Sequence, residues 1–156
     1  MQRYALLADS VWDGVATHAT AGLAVIIDDT RIEAVIPVGE TPPELPRVAL
    51  PGCTLLPGLI DAHVHYSAVM GPAFLAAGVT TIRDVGNDLA WILDRRARHA
   101  ADPTLGPTIV CCGVLHDGPQ VYWKTMGRAH PDADALRHSI QHHVAAGVDQ
   151  IKLYAG

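Results

Sequence analysis

The alternation of apolar, β-branched runs with helix-period stretches beyond residue 54 restricts this chain's architecture more than any other feature. Residues 54–63 form an apolar run that ends in polar side chains. Residues 69–77 have the length of a short helix closed by Gly78, and residues 79–84 are β-branched and strand-like. Asp88 can cap a helix over 88–100, in which Leu89, Ile92, Leu93 and Arg96 keep helical spacing. Residues 108–112 read as another strand, and 113–131 as a long polar loop with Gly and Pro. A helix then runs from Asp132 or Asp134 to Ala146, ended by Gly147, and a fourth strand covers 149–154. Strands that alternate with helices pair in parallel through βαβ crossovers. An open doubly wound sheet and a (β/α)8 barrel both satisfy this order. No GxGxxG or Walker loop supports a nucleotide site in the open form. The polar residues instead fall where a barrel puts function, at the C-terminal ends of strands: Asp61, His63 and His65, then Arg83 and Asp84, then Lys152 and Tyr154. A closed barrel needs eight strands and about 250 residues. The expectation is therefore a fragment, a chain that pairs with another, or a half-barrel.

Residues 1–53 have a different rhythm. Short strands are expected at 4–8, 24–27 and 31–36, the last two as a hairpin around Asp28-Asp29-Thr30. Thr41-Pro42-Pro43-Glu44-Leu45-Pro46 cannot lie inside a sheet, because proline lacks the donor. Residues 47–50 extend towards Pro51-Gly52. This reads as a small β domain, or part of one, ending near residue 53.

Composition narrows the function classes. With 49% hydrophobic residues the chain is globular, and its net charge of −5 with only 11 Lys and Arg argues against a nucleic-acid groove or an anionic membrane surface. No run approaches the roughly 20 apolar residues of a membrane span, and the N-terminal apolar run is too short for a signal peptide. Cys53, Cys111 and Cys112 form neither a disulfide framework nor a CxxC pair, which suits a reducing compartment, so a cytoplasmic location is expected.

Nine histidines against a single Phe raise the question of which are placed for chemistry. Side chains two apart on a strand share a face, so His63 and His65 can converge on one metal ion, with Asp61 on the same face to orient a ligand. An HxH pair alone is a weak signal, since two solvated histidines satisfy it equally well. The context is more specific. Leu56-Pro57-Gly58-Leu59-Ile60-Asp61-Ala62-His63-Val64-His65 closely resembles PGLIDxHxH, the opening motif of the amidohydrolase superfamily. Ala76 to Gly86, containing Gly78-Val79-Thr80-Thr81-Ile82-Arg83-Asp84, resembles its second barrel strand. Ala145 to Tyr154, ending Ile151-Lys152-Leu153-Tyr154, is similar to the fourth strand of its lysine-bearing members, and of these most like the imidazolonepropionase and Xaa-Pro dipeptidase branch.

The resemblance implies an α/β fold, the first half of a (β/α)8 TIM-like barrel over 54–156, preceded over 1–53 by part of a β-sandwich. It implies a binuclear hydrolase of an amide-type C–N bond, in a dipeptide or cyclic amide, acting through a metal-bridging hydroxide. It also implies two divalent ions, zinc foremost, held by His63, His65 and a CO2-derived carbamate on Lys152. A neutral, buried lysine is chemically suited to carboxylation, whereas an ammonium has no lone pair for a metal. The remaining ligands would lie beyond residue 156. The expected partners are a small-molecule amide, the rest of the barrel from a longer chain or a partner, and further copies of the chain. Asp61, Tyr66, Arg83, Asp84, His116 and Tyr154 are candidates for supporting the ligands or lining the pocket. Tyr122, Trp123, Lys124 and Arg128 share the loop of His116. Arg83 and Asp84 read more readily as an internal ion pair that braces the barrel, and His142-His143 as structural helix residues. The segment 66–77 is more compact than is common in the family. The competing reading is a non-catalytic, truncated or split half-barrel whose open sheet edges await a partner.

Overall fold

The computed structural model describes residues 3–154. The chain divides into two compact units, Met1–Pro57 and Gly58–Gly156.

In the first unit β1 (Arg3–Val11) pairs antiparallel with β2 (Thr20–Ala21) and with β3 (Leu23–Asp28), and β3 pairs antiparallel with β4 (Arg31–Pro37). The β3–β4 hairpin is the expected one, with Asp29 taking the positive φ (53°) that the tight turn demands. Ala5, Ala24, Ile26 and Leu45 are buried together on one face. The sequence suggests an extended segment over 47–50 that leads to Pro51-Gly52. In the structure β5 (Arg47–Leu55) runs on through both, parallel to β1. The register shifts between Ala8 and Ser10, Gly52 adopts φ 75°, and its N–H donates to Asp9 Oδ2 at 3.1 Å. A bulge on a strand laddered only to β1 among the described residues admits a proline that an interior strand would reject.

The second unit contains β6 (Leu59–Val64), α1 (Gly71–Ala76), β7 (Val79–Asp84), α2 (Leu89–Ala101) and β8 (Thr108–Cys111), followed by β9 (Leu115–His116), β10 (Gly127–Arg128), α3 (Ala133–Ala146) and β11 (Lys152–Leu153). The order β6-β7-β8 is a parallel sheet, and β9 pairs parallel with both β10 and β11. The two short sheets are joined along one line: Asp149 N–H donates to Cys111 O at 2.9 Å, and Tyr154 N–H to His116 O at 2.8 Å. Residues 108–116 thus form one interrupted strand, with 149–154 alongside it. Four parallel segments therefore lie side by side in chain order, a mixed α/β arrangement.

The helices begin and end where the sequence indicates. Asp88 Oδ1 accepts from Trp91 N–H, and Asp132 Oδ1 from Ala135 N–H. Gly147, at φ 86°, closes α3. Val64, Tyr66, Ile82, Ile92, Ile109 and Cys111 form the core, with Phe74 and Trp91 packed against it, so one face of the β6-β7-β8 sheet is covered by α1 and α2. Among the described residues no helix is long and apolar enough to cross a membrane.

Candidate metal centre

Alternation along the strands sorts the chemistry-bearing residues into two sets. In β6 the core residue Val64 faces the helices, which places its neighbours His63 and His65 on the opposite face, while the register shifts between Asp61 and Val64 and sets Asp61 beside the core residue Ile82. The His63 and His65 rings lie 5.8 Å apart between centroids and meet edge to face. His65 Nδ1 is 3.1 Å from Gly86 O. A carbonyl oxygen can only accept, so Nδ1 carries the proton and Nε2 keeps its lone pair. Asp61 Oδ1 accepts the His63 backbone N–H at 3.1 Å, steadying the strand end that bears His63.

Lys152 is in register with Leu115, and Leu153 with His116. Lys152 and Leu115 therefore share one face, and Leu153 and His116 the other. Cys112 alternates with the core residue Cys111 and so leaves the helix side. Burial first, then Asp84 and Cys111, push its thiol up to about 12, with Lys152 the nearby cation acting in the opposite direction. Leu153 shares the face of His116, whose ring packs on His143 of α3, so Lys152 stands on the strand face turned away from α3.

The donor set fits a divalent metal in part. Two imidazoles stand on one face, one of them fixed in the tautomer that leaves Nε2 free, and Lys152 stands on the strand face turned away from α3. Among the described residues no group of three or more His, Cys, Asp or Glu is placed to hold a metal ion, so the histidine pair by itself is an incomplete coordination shell.

Several expectations need correction. Arg83 and Asp84 form no ion pair, because neighbours on a strand point to opposite faces. Arg83 is exposed and its Nε donates to Ala62 O at 2.7 Å. Asp84 is fully buried on the helix side and accepts from Tyr66 N–H (2.8 Å), Gly86 N–H (3.2 Å) and Asn87 Nδ2 (2.8 Å). Tyr66 is a core residue rather than a pocket one. It packs against Phe74, Trp91 and His99 and donates its hydroxyl to His99 Nε2 at 3.2 Å, while His99 Nδ1–H donates to Pro107 O at 2.7 Å. His116 also lies on the helix side, fully buried, with its ring 4.7 Å from that of His143 on α3 and 5.1 Å from that of His130. Burial, with His143, His130 and Arg128 nearby, pushes its imidazole down to about 4. His143 is locked as a structural residue, Nδ1 to Ser139 O at 2.8 Å and Nε2 to Val114 N at 3.4 Å.

The loop 113–131 is more ordered than its Gly and Pro content suggests. Asp117 accepts from Gly118 N–H (2.8 Å) and Tyr122 N–H (2.7 Å), and β10 adds to β9. Tyr154, two residues past Lys152, stacks on Tyr122 with centroids 5.3 Å apart and planes 22° apart. The sequence carried no signal for that pairing across 32 residues.

No protein-family model matches the chain, and neither does any curated protein sequence. Its fold does match solved structures. A protein from Bifidobacterium longum assigned as a prolidase is 28% identical, with 99% of this chain and 41% of that one covered at a TM-score of 0.83. The A. niger ochratoxinase is 17% identical over 97% of this chain and 46% of its own, at a TM-score of 0.76. A Xaa-Pro dipeptidase with methionine bound in its active site is 19% identical over 97% of this chain and 47% of its own, at a TM-score of 0.72. The chain spans less than half the length of each of these structures.

Proposed function

We propose, on the premise that this chain fits the N-terminal part of the amidohydrolase superfamily, that it supplies the first four β/α units of a metal-dependent hydrolase of amide-type C–N bonds. In this reading the segments at 59–64, 79–84, 108–116 and 149–154 are strands one to four of a (β/α)8 barrel. Residues 1–53 are part of a β-sandwich, and the remaining strands come from further chain or a partner. The face opposite α1 and α2 is then the barrel interior, and His63, His65 and Lys152 hold the metals from it.

One observation carries the reading: His65 Nδ1 is held by Gly86 O, which leaves Nε2 free beside the His63 ring. A carbamate formed on the Lys152 amine from CO2 would add the anionic oxygens that two cations require. The metals, when bound, supply a nucleophilic water at neutral pH and polarise the carbonyl. The chain's own residues orient them. Asp61 steadies the backbone at His63, Gly86 sets the His65 ring, and Asp84 fixes Gly86 and Tyr66 on either side of that contact. The substrate class is a dipeptide or cyclic amide.

Metal content per chain, measured by plasma mass spectrometry on protein purified without chelators, tests the assignment together with hydrolysis of a dipeptide panel. Transition metal at one to two equivalents is expected, falling with turnover in Lys152→Ala and in His63→Asn. Unchanged metal and turnover in Lys152→Ala would refute the lysine's role.

A further inference from the structure

A cluster of exposed aromatic side chains stands at the end of the strand that carries Lys152. Tyr122 is 65% exposed and Trp123 47%, unusual values for large rings, and neither belongs to a core cluster. They are not loosely displayed. The Tyr122 N–H is held by buried Asp117 Oδ2 at 2.7 Å, and Trp123 O accepts from Gly127 N–H at 2.7 Å. The Tyr122 ring stacks on Tyr154 and meets Trp123 edge to face, with centroids 5.2 Å apart. Tyr154 is in turn fixed by its N–H to His116 O. Tyr154 follows the strand Lys152–Leu153 directly, so the aromatic cluster begins two residues beyond Lys152.

We propose that Tyr122, Trp123 and Tyr154 form an aromatic wall of the substrate pocket, which selects an amide whose neighbouring side chain is a flat, apolar ring. This rests on the hydrolase reading of Lys152. Rings held by their backbone in a stacked arrangement present a preorganised apolar surface, and offset or edge-to-face contact with a further ring adds to area burial alone. Aliphatic or charged side chains gain less from such a surface. Tyr122 contributes through its ring rather than its hydroxyl, for which no hydrogen-bond partner is found among the described residues.

The test uses the complete protein that carries this chain, with two readouts. One is the ratio of kcat/KM for N-acetyl-phenylalaninamide over N-acetyl-alaninamide. The other is calorimetric binding of free phenylalanine against free alanine, which cannot turn over. The wild type should favour the aromatic member in both. Tyr122→Ala and Trp123→Ala should each lower the preference about tenfold, and Tyr122→Phe should retain it. Both positions are exposed, so the melting temperature should hold. A wild type without aromatic preference, or alanine variants that keep it, would overturn the wall. Selective phenylalanine binding without hydrolysis would leave the wall standing and count against the hydrolase reading instead.

Discussion

Replacing Asp84 with alanine should destabilise the second unit by about 3–5 kcal/mol, although Asp84 touches no residue assigned to the metals. The carboxylate is fully buried and accepts three hydrogen bonds, from Tyr66 N–H, Gly86 N–H and Asn87 Nδ2. Hydrogen bonds to a charged group contribute roughly 1.5–3 kcal/mol each and do not sum fully, because the three donors share one acceptor group. Asn87 Nδ2 keeps a second acceptor, Tyr66 O at 2.9 Å, which trims its share. Tyr66 N–H and Gly86 N–H have no such substitute and would be left buried without an acceptor. A loss of this size is a large part of the 5–15 kcal/mol that holds a typical domain. Urea unfolding followed by circular dichroism reads it as a lower midpoint at unchanged slope. A second effect follows from position. Gly86 O sets the His65 ring and Tyr66 adjoins His65, so metal affinity should fall about 10–100-fold. Arg83→Ala is the control, because its guanidinium is exposed and, among the described residues, bonds only Ala62 O. It should change stability by less than about 1 kcal/mol. Equal losses in Arg83→Ala and Asp84→Ala, or a loss under about 1 kcal/mol in Asp84→Ala, would refute the account.

Three further outcomes are expected. Acid should weaken the fold through His116. Its folded pKa of about 4 lies below the ordinary histidine value of 6.5, so between those limits the unfolded chain binds the extra proton. The associated stability is fully present above pH 6.5 and is lost as pH falls towards 4, by at most about 3 kcal/mol. His116→Gln should flatten that slope in pH-dependent unfolding, and an unchanged slope would count against the assignment. Tyr66→Phe removes the hydroxyl that His99 Nε2 accepts and should cost about 1–2 kcal/mol in urea midpoint without altering metal content. Gly71→Ala places a methyl against the Leu105 carbonyl oxygen, a backbone atom that cannot rotate away, and should lower the melting temperature by several degrees, an effect of about 1–3 kcal/mol.

The elements were legible in the sequence because each carried its own local signal. The β-branched run 79–84 became β7 with the same bounds, and Asp88, Asp132 and Gly147 mark helix ends through groups that bond within a few residues. The face on which His63 and His65 stand was also readable, since a two-residue period needs no tertiary information. What escaped was settled by contacts across long separations. Asp84 looked like a partner for Arg83, yet its acceptors serve a loop 18 residues earlier. His116 looked like a loop residue within reach of substrate but more readily one without a role, yet strand addition by β9 turns it under α3, against His143. Tyr66 adjoins the metal motif in sequence, but it sits one step out of phase with His63 and His65 and is drawn into the core by Phe74, Trp91 and His99.

These misreadings share a physical cause. Residues facing away from the helices, namely His63, His65, Arg83 and Lys152, have few side-chain partners among the described residues, whereas the buried polar residues on the helix side are tightly bonded. Asp84 ties the ends of β6 and β7 together, His143 bonds the 113–114 turn to α3, and His99 ties Tyr66 to Pro107. A side chain that must hold an external ligand cannot have its lone pairs already satisfied. A side chain that positions such a ligand must have all of them satisfied, or the geometry drifts. Bond count therefore separates the two roles where residue type does not: Asp84, with three donors, positions, while His65, bonded through Nδ1 alone, is left to bind. On that criterion His116 is the exception on the helix side. Its Nε2 is buried and without a partner, while its Nδ1 lies 3.4 Å from His130 Nε2, the acceptor nitrogen of a ring whose Nδ1–H donates to Asp117 O. Nδ1 must then carry the proton and Nε2 must stay bare, so the ring is neutral because no acceptor is placed to take a second N–H. That geometry agrees with the downward pKa and makes the acid sensitivity of this position a test of the same bonding logic that singles out His65.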